Sequence, residues 1–96
     1  MIVRILTEGQ LEVPDGSMEE LNALDTKVLE TCQAKDETAF KQALDTLLER
    51  VRELGTPIPL DRLVESDFVL PMADSTLDEV EAMMSEEGLI PDPANP

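Results

Sequence analysis

Histidine, tryptophan and tyrosine are absent from this chain, cysteine occurs once and phenylalanine twice. Each shortage excludes something. Without histidine the chain lacks the commonest general base and the commonest transition-metal ligand. A Ser–His–Asp or Cys–His set is impossible. One cysteine neither closes an internal disulfide nor builds a zinc cluster. Cys32 follows Leu21, Leu24 and Val28 at helical spacing, so it is expected as a small core residue in a reducing compartment. With Phe40 and Phe68 the only aromatics, the core has to be aliphatic. There is no run of about 18 or more apolar residues to span a membrane. The opening Met1–Leu6 is too short and too quickly polar for a signal peptide, and a cytoplasmic location is expected. Glycine is scattered singly at 9, 16, 55 and 88, so no glycine-rich phosphate loop follows a strand.

Positive charge is the next scarcity. Seven basic residues stand against 22 acidic ones, for a formal net charge of −15. After Arg62 there is no Lys or Arg, while Glu65, Asp67, Asp74, Asp78, Glu79, Glu81, Glu86, Glu87 and Asp92 follow. Nucleic acid and anionic lipid are both repelled by such a chain. The acidic block serves either as a solvated face or as a docking surface for a basic partner. Abundant carboxylates raise paired-acid hydrolysis and Mg²⁺ or Ca²⁺ binding, but neither has a motif. The adjacent pairs Glu19-Glu20, Asp78-Glu79 and Glu86-Glu87 point in different directions on a helix. No catalytic residue, metal ligand or cofactor is assigned.

What is present is a strong helical pattern. Its centre runs from Ser17 to Leu54. Ser17-Met18-Glu19-Glu20 matches a capping box, and Leu21, Leu24, Val28 and Cys32 form one stripe. A break at Lys35-Asp36 precedes a second helix capped by Asp36. Phe40, Ala43, Leu44, Leu47, Leu48, Val51 and Leu54 make its wider stripe. Gly55 is expected in the left-handed conformation that ends a helix, with Pro57 beyond it.

On either side lie short strands. Residues 2–7 and 10–13 suggest a β-hairpin. A three-residue loop, Thr7-Glu8-Gly9 with Gly9 left-handed, sets Ile5 opposite Leu11, Val3 opposite Val13 and Arg4 opposite Glu12. The prolines at 57 and 59 favour an extended path. Ser66–Leu70 is a third strand beside the first, and Ser75-Thr76-Leu77-Asp78 caps a third helix with Leu77, Val80, Met83 and Met84 inward. Gly88 stops that helix, and Leu89-Ile90 forms an apolar latch. The expected fold is α+β: a hairpin plus a third short strand, an antiparallel-type sheet in the order 2-1-3, packed on an αα-hairpin and a C-terminal helix. At 96 residues this is one domain over 1–90, with 91–96 a disordered tail. Strand 10–13 is a free edge open to a second copy, blunted by Glu12 and Pro14, so a homo-oligomer is an open possibility.

Order and spacing along the chain carry a resemblance. The residues are Met1-Ile2-Val3-Arg4-Ile5, Glu8-Gly9-Gln10, Leu21-Asn22, Leu24-Asp25, Leu47-Leu48, Val51-Arg52, Gly55, Pro57, Pro59, Leu63-Val64, Ser66-Asp67, Leu70-Pro71, Asp74, Thr76-Leu77, Glu79-Val80 and Gly88-Leu89-Ile90-Pro91-Asp92. In these the chain resembles the PspA-associated (PspAA) proteins, small bacterial and archaeal proteins encoded beside the phage-shock protein PspA. The resemblance implies an accessory role in the envelope stress response built on PspA, a membrane-binding coiled-coil protein, and implies no enzymatic activity.

The expected function is that of a non-catalytic protein-binding module. Glu8, Gly9, Gln10, Ser66 and Asp67 in two loops, with Asp78, Glu81 and Glu86 on the acidic block, would meet a basic PspA-like partner, without nucleic acid and without membrane insertion. The rivals are a small carboxylate- and Mg²⁺-dependent hydrolase, which needs three or more converging acids, and an acidic mimic that masks a nucleic-acid-binding protein.

Overall fold

A computed structural model describes residues 1–59, 61–62, 64–83 and 89. The order of elements is β1 (Ile2–Ile5), β2 (Gly9–Glu12), a 3₁₀ turn (Asp15–Ser17), α1 (Met18–Gln33), α2 (Glu37–Leu54), β3 (Thr56–Pro57), β4 (Phe68–Leu70) and α3 (Leu77–Met83).

The helical hairpin forms as its pattern dictates. Lys35 takes a positive φ of 58°, which reverses the chain. The Asp36 carboxylate accepts the Ala39 N–H at 3.1 Å and opens α2. Phe40, Leu44, Leu47, Leu48 and Val51 are all buried along one face of α2. On α1 the buried stripe is Met18, Leu21, Asp25, Val28 and Cys32; Leu24, expected on it, is only half-buried. Asp25 holds the inward position instead, and its carboxylate accepts the Leu89 N–H at 3.0 Å.

Two cap expectations are corrected. The Ser17 side chain makes no capping hydrogen bond, because the 3₁₀ turn already places Ser17 near helical angles (φ −91°, ψ −5°). A capping side chain needs an extended backbone at that position. Gly55 is extended rather than left-handed (φ −86°, ψ 153°). Its need for glycine is steric: an added Cβ would stand 2.8 Å from the Val51 carbonyl oxygen and 2.9 Å from the Leu11 Cβ.

The sheet departs further. Its order is β3-β2-β1-β4, four strands instead of three, and it is mixed. β1 and β2 are antiparallel, β2 and β3 antiparallel, β1 and β4 parallel. β3 covers the edge of β2 that looked free: Leu11 lies beside Pro57 and Glu12 beside Thr56. In the hairpin, Val3 faces Leu11, Arg4 faces Gln10 and Ile5 faces Gly9, two residues away from the expected register. The Glu8 N–H closes a turn on the Ile5 carbonyl at 3.0 Å. Positive φ is carried by Thr7 (73°) as well as Gly9 (106°). A slip of two residues leaves every side chain on its intended face, so Val3, Ile5, Leu11 and Val13 still join the core with the helices and with Phe68 and Leu70.

Topology then dictates a crossover. β3 and β4 lie at opposite edges and run in the same direction, so residues 58–67 must traverse the whole sheet. The helices occupy the odd-residue face, and the crossover takes the other. There Gln10 Nε2 donates to the Val64 carbonyl at 2.9 Å and to Ser66 Oγ at 2.8 Å. Asp67 clamps the start of β1: its N–H donates to the Ile2 carbonyl at 2.7 Å, and its carboxylate accepts the Ile2 N–H at 2.6 Å.

At α3 the capping box sits one residue later than expected. Thr76 Oγ1 accepts the Glu79 N–H at 3.2 Å, and Glu79 accepts the Thr76 N–H at 3.2 Å. Glutamate reaches back one methylene further than aspartate, which favours this frame. Leu77 and Val80 are buried, but Met83, expected inward, is exposed. Met84, Glu86, Gly88, Ile90 and the tail 91–96 lie outside the described residues.

Candidate functional site

The residues expected in two loops meet in part. Gln10 and Ser66 are hydrogen-bonded to each other and Asp67 follows them on the crossover, but Glu8 turns the other way. Its carboxylate receives Arg52 Nε at 2.8 Å and a second, shorter contact from the same guanidinium. That fork-like pair ties the hairpin loop to the end of α2 and holds the Glu8 carboxyl below its ordinary range. Arg50 does the same between the helices, bonding Glu20 of α1 and Glu53 on its own helix; the Glu20 carboxyl is likewise lowered by its bond to Arg50. Asp78 and Glu81 both stand exposed on α3. Glu81 bonds Lys35 at the helical break.

The pairing leaves a lopsided surface. Lys35, Arg50 and Arg52 are each held by a carboxylate, so three of the seven cations are neutralised where they stand. The acids of α3 and the crossover outnumber what remains. Cys32 is buried, and its thiol is pushed up, first by burial and then by Glu81; its Sγ lies 3.8 Å from the Leu77 carbonyl. A core role, not a reactive one, follows.

Two concavities are relevant. One is a groove of about 260 Å³ on the outward side of α1 and α2, where Leu24, Ala43 and Thr46 line its floor and Lys27 its edge. The other, about 310 Å³, lies between the sheet's outer face and the crossover, and both Arg4 and Arg62 line it. Nothing in the sequence pattern brings residues 4 and 62 together; the only signal was Arg4 on the outward parity of β1. Asp25 was also missed, although the spacing Met18, Leu21, Asp25, Val28, Cys32 contains it. Among the described residues no group of three or more His, Cys, Asp or Glu is placed to hold a metal ion, and no helix is long and apolar enough to cross a membrane.

Fold and surface define a small α+β module with an acidic exterior. Comparison with protein families then places it: the model of the PspA-Associated protein family (PspAA) matches residues 1–92, and the chain belongs to that family. Comparison with curated proteins and with solved structures returns no match.

Proposed function

We propose that this chain is a non-catalytic accessory module that docks its acidic surface on basic residues of PspA. The observation that carries the reading is membership of the PspA-associated family joined to a formal charge of −15. Asp78 and Glu81, both exposed on α3, would be the centre of the docking surface, with Glu86 next in the acidic block of the sequence; Glu81 also holds Lys35. Asp67 is exposed on the crossover, which Gln10 braces through Ser66, and would add a further acidic contact. Gly9, with its positive φ, lets the hairpin turn, while Glu8 is held by Arg52 and contributes no free charge.

A membrane-binding partner uses Lys and Arg to meet anionic lipid. An acidic module on those residues competes with the membrane, so binding and release become a route to regulation. The test is calorimetry of PspA with this protein at low and high salt, beside flotation of PspA on anionic liposomes. Binding should weaken as salt rises, and the module should reduce flotation. Asp78, Glu81 and Glu86 changed to Gln together should slow association and flatten its salt dependence, since peripheral charges act mainly on the on-rate. An absence of binding at low salt, or binding indifferent to the triple change, would overturn the proposal.

A further inference from the structure

The cavity beneath the crossover is chemically the odd place in this molecule. In a chain with 22 acids and seven bases, two of the arginines face one hollow. Neither Arg4 nor Arg62 makes an ion pair among the described residues, whereas Arg50 and Arg52 both do. Each is placed by the backbone. Arg4 projects from β1, beside Gln10 on β2. Arg62 is carried by a turn in which its N–H donates to the Pro59 carbonyl at 3.0 Å.

The hollow is also built. Gln10 gives both hydrogens of its amide to the crossover, which fixes the roof over the sheet. Gly9 lines the hollow with no side chain of its own. Ile58, Pro59 and Val64 supply apolar wall, and Glu65 a single carboxylate. The volume is at the small end of the range for ligand pockets, roughly 300–1,000 Å³.

We propose that this pocket binds a small phosphorylated polyol, its phosphate held by the Arg4 and Arg62 guanidiniums. Guanidinium groups form forked, charge-assisted hydrogen bonds with phosphate oxygens. Glu65 repels a second anionic group but accepts hydrogen bonds from hydroxyls, and the apolar wall meets the carbon skeleton. This is recognition by side-chain cations, with no glycine-rich loop involved. A soluble ester fits better than a lipid headgroup with the same phosphate. A single small anion inside the hollow meets the two arginines at short range, with charges more than about 8 Å away largely screened. An anionic membrane would face the whole −15 chain.

The test is an NMR titration of the full chain with glycerol 3-phosphate, inorganic phosphate and neutral glycerol. Glycerol 3-phosphate should shift the amides of Gly9, Gln10, Val64 and Glu65 and the side-chain Nε–H signals of Arg4 and Arg62. Inorganic phosphate should move the same signals with lower affinity, and glycerol none. Arg4→Gln and Arg62→Gln, both changes of exposed residues, should each weaken binding about tenfold with an unchanged thermal melt. Absence of shifts at tens of millimolar ester (roughly the weak limit of specific binding), or shifts that survive in the double variant, would overturn the site. In a parallel arm, vesicles of phosphatidylcholine with phosphatidic acid should not carry the protein upward on flotation. Flotation that the two arginine variants abolish would overturn the soluble-ester assignment.

Discussion

Between α1 and α2 the contact is made by leucine, valine and phenylalanine side chains fully withdrawn from water. Between the sheet and its crossover the side-chain hydrogen bonds come from one glutamine, one serine and one aspartate, with Ile58 a buried apolar residue of the crossover. Both regions belong to one small protein, but different forces hold them. Apolar burial is non-directional and scales with area, so a repeating stripe suffices to specify it. A hydrogen-bonded strap depends on particular atoms at particular distances, and no periodicity announces it. The difference teaches where function has room. The helical pair is committed to stability, while the crossover carries polar groups and Arg62 over a hollow that Arg4 lines from β1.

The sharpest way to break this comparison is to empty the helical side. Leu47 is completely buried, and Leu47→Ala should cost about 2–5 kcal/mol, a large share of the roughly 5–15 kcal/mol a domain possesses. Chemical denaturation would measure it. A loss under about 1 kcal/mol would mean that α2 is not the apolar centre. Next is the junction where the two regions meet. Gly55→Ala drives a methyl into the Val51 carbonyl and the Leu11 side chain, and overpacking of this kind costs typically about 1–3 kcal/mol. An unchanged melt would show that β3 moves aside easily.

The hairpin supplies a smaller effect of another origin. Gly9 has positive φ but open space around it, so Gly9→Val should destabilise by about 1–2 kcal/mol through backbone strain alone. Gly9→Asn, the side chain that best accepts positive φ, should recover part of the loss; equal damage from both would point to packing. On the crossover, Gln10→Ala removes two hydrogen bonds, at about 1 kcal/mol each. Its signature is local: amide exchange over 64–67 should quicken while α1 and α2 keep their protection. Faster exchange throughout the helices would erase the distinction between the two regions.

The same contrast explains what could be read without coordinates. The helices, their break at Lys35-Asp36 and the inward residues of α2 were legible, because burial of one helical face leaves a spacing in the sequence. The inward faces of β1, β2 and β4 were legible for the same reason, while the hairpin register was not, and β3 was read only as an extended path through the prolines. Parity survives a two-residue slip, and Thr7, a β-branched residue with φ of 73°, is the last place a positive φ would be sought. The direction of β4 depends on the path of 58–67, which is braced by contacts distant in sequence, Gln10 to Val64 and Asp67 to Ile2. The capping box of α3 was read one residue early because Ser75 and Thr76 both qualify. Of the candidate site, Gln10, Ser66 and Asp67 were named, but their part in bracing the crossover was not. Arg4 and Arg62 share a cavity only after the chain has crossed the sheet.

The smallest expected effect concerns the pair that joins the hairpin to α2. The Glu8 carboxyl is lowered from its ordinary 4.5, chiefly by its hydrogen bond from Arg52. A folded-state pKa below the unfolded one means that the unfolded chain binds the proton more readily, so stability rises with pH across that interval. The contribution of Glu8 is therefore complete above about pH 4.5 and is lost as pH falls through the lowered folded value. Both partners are more than a third exposed, so the gain is small, in the way of surface ion pairs. Glu8→Gln should lower the melting temperature slightly at pH 7, and the gap from the parent should close as pH falls below the ordinary carboxylate value. Glu20, lowered in the same direction by Arg50, keeps some acid sensitivity in the variant. Thermal melts of both proteins from pH 7 to pH 3 would measure the gap. A gap of constant size over that range would show that Glu8 acts by packing, and that the hairpin belongs with the helices rather than with the polar strap.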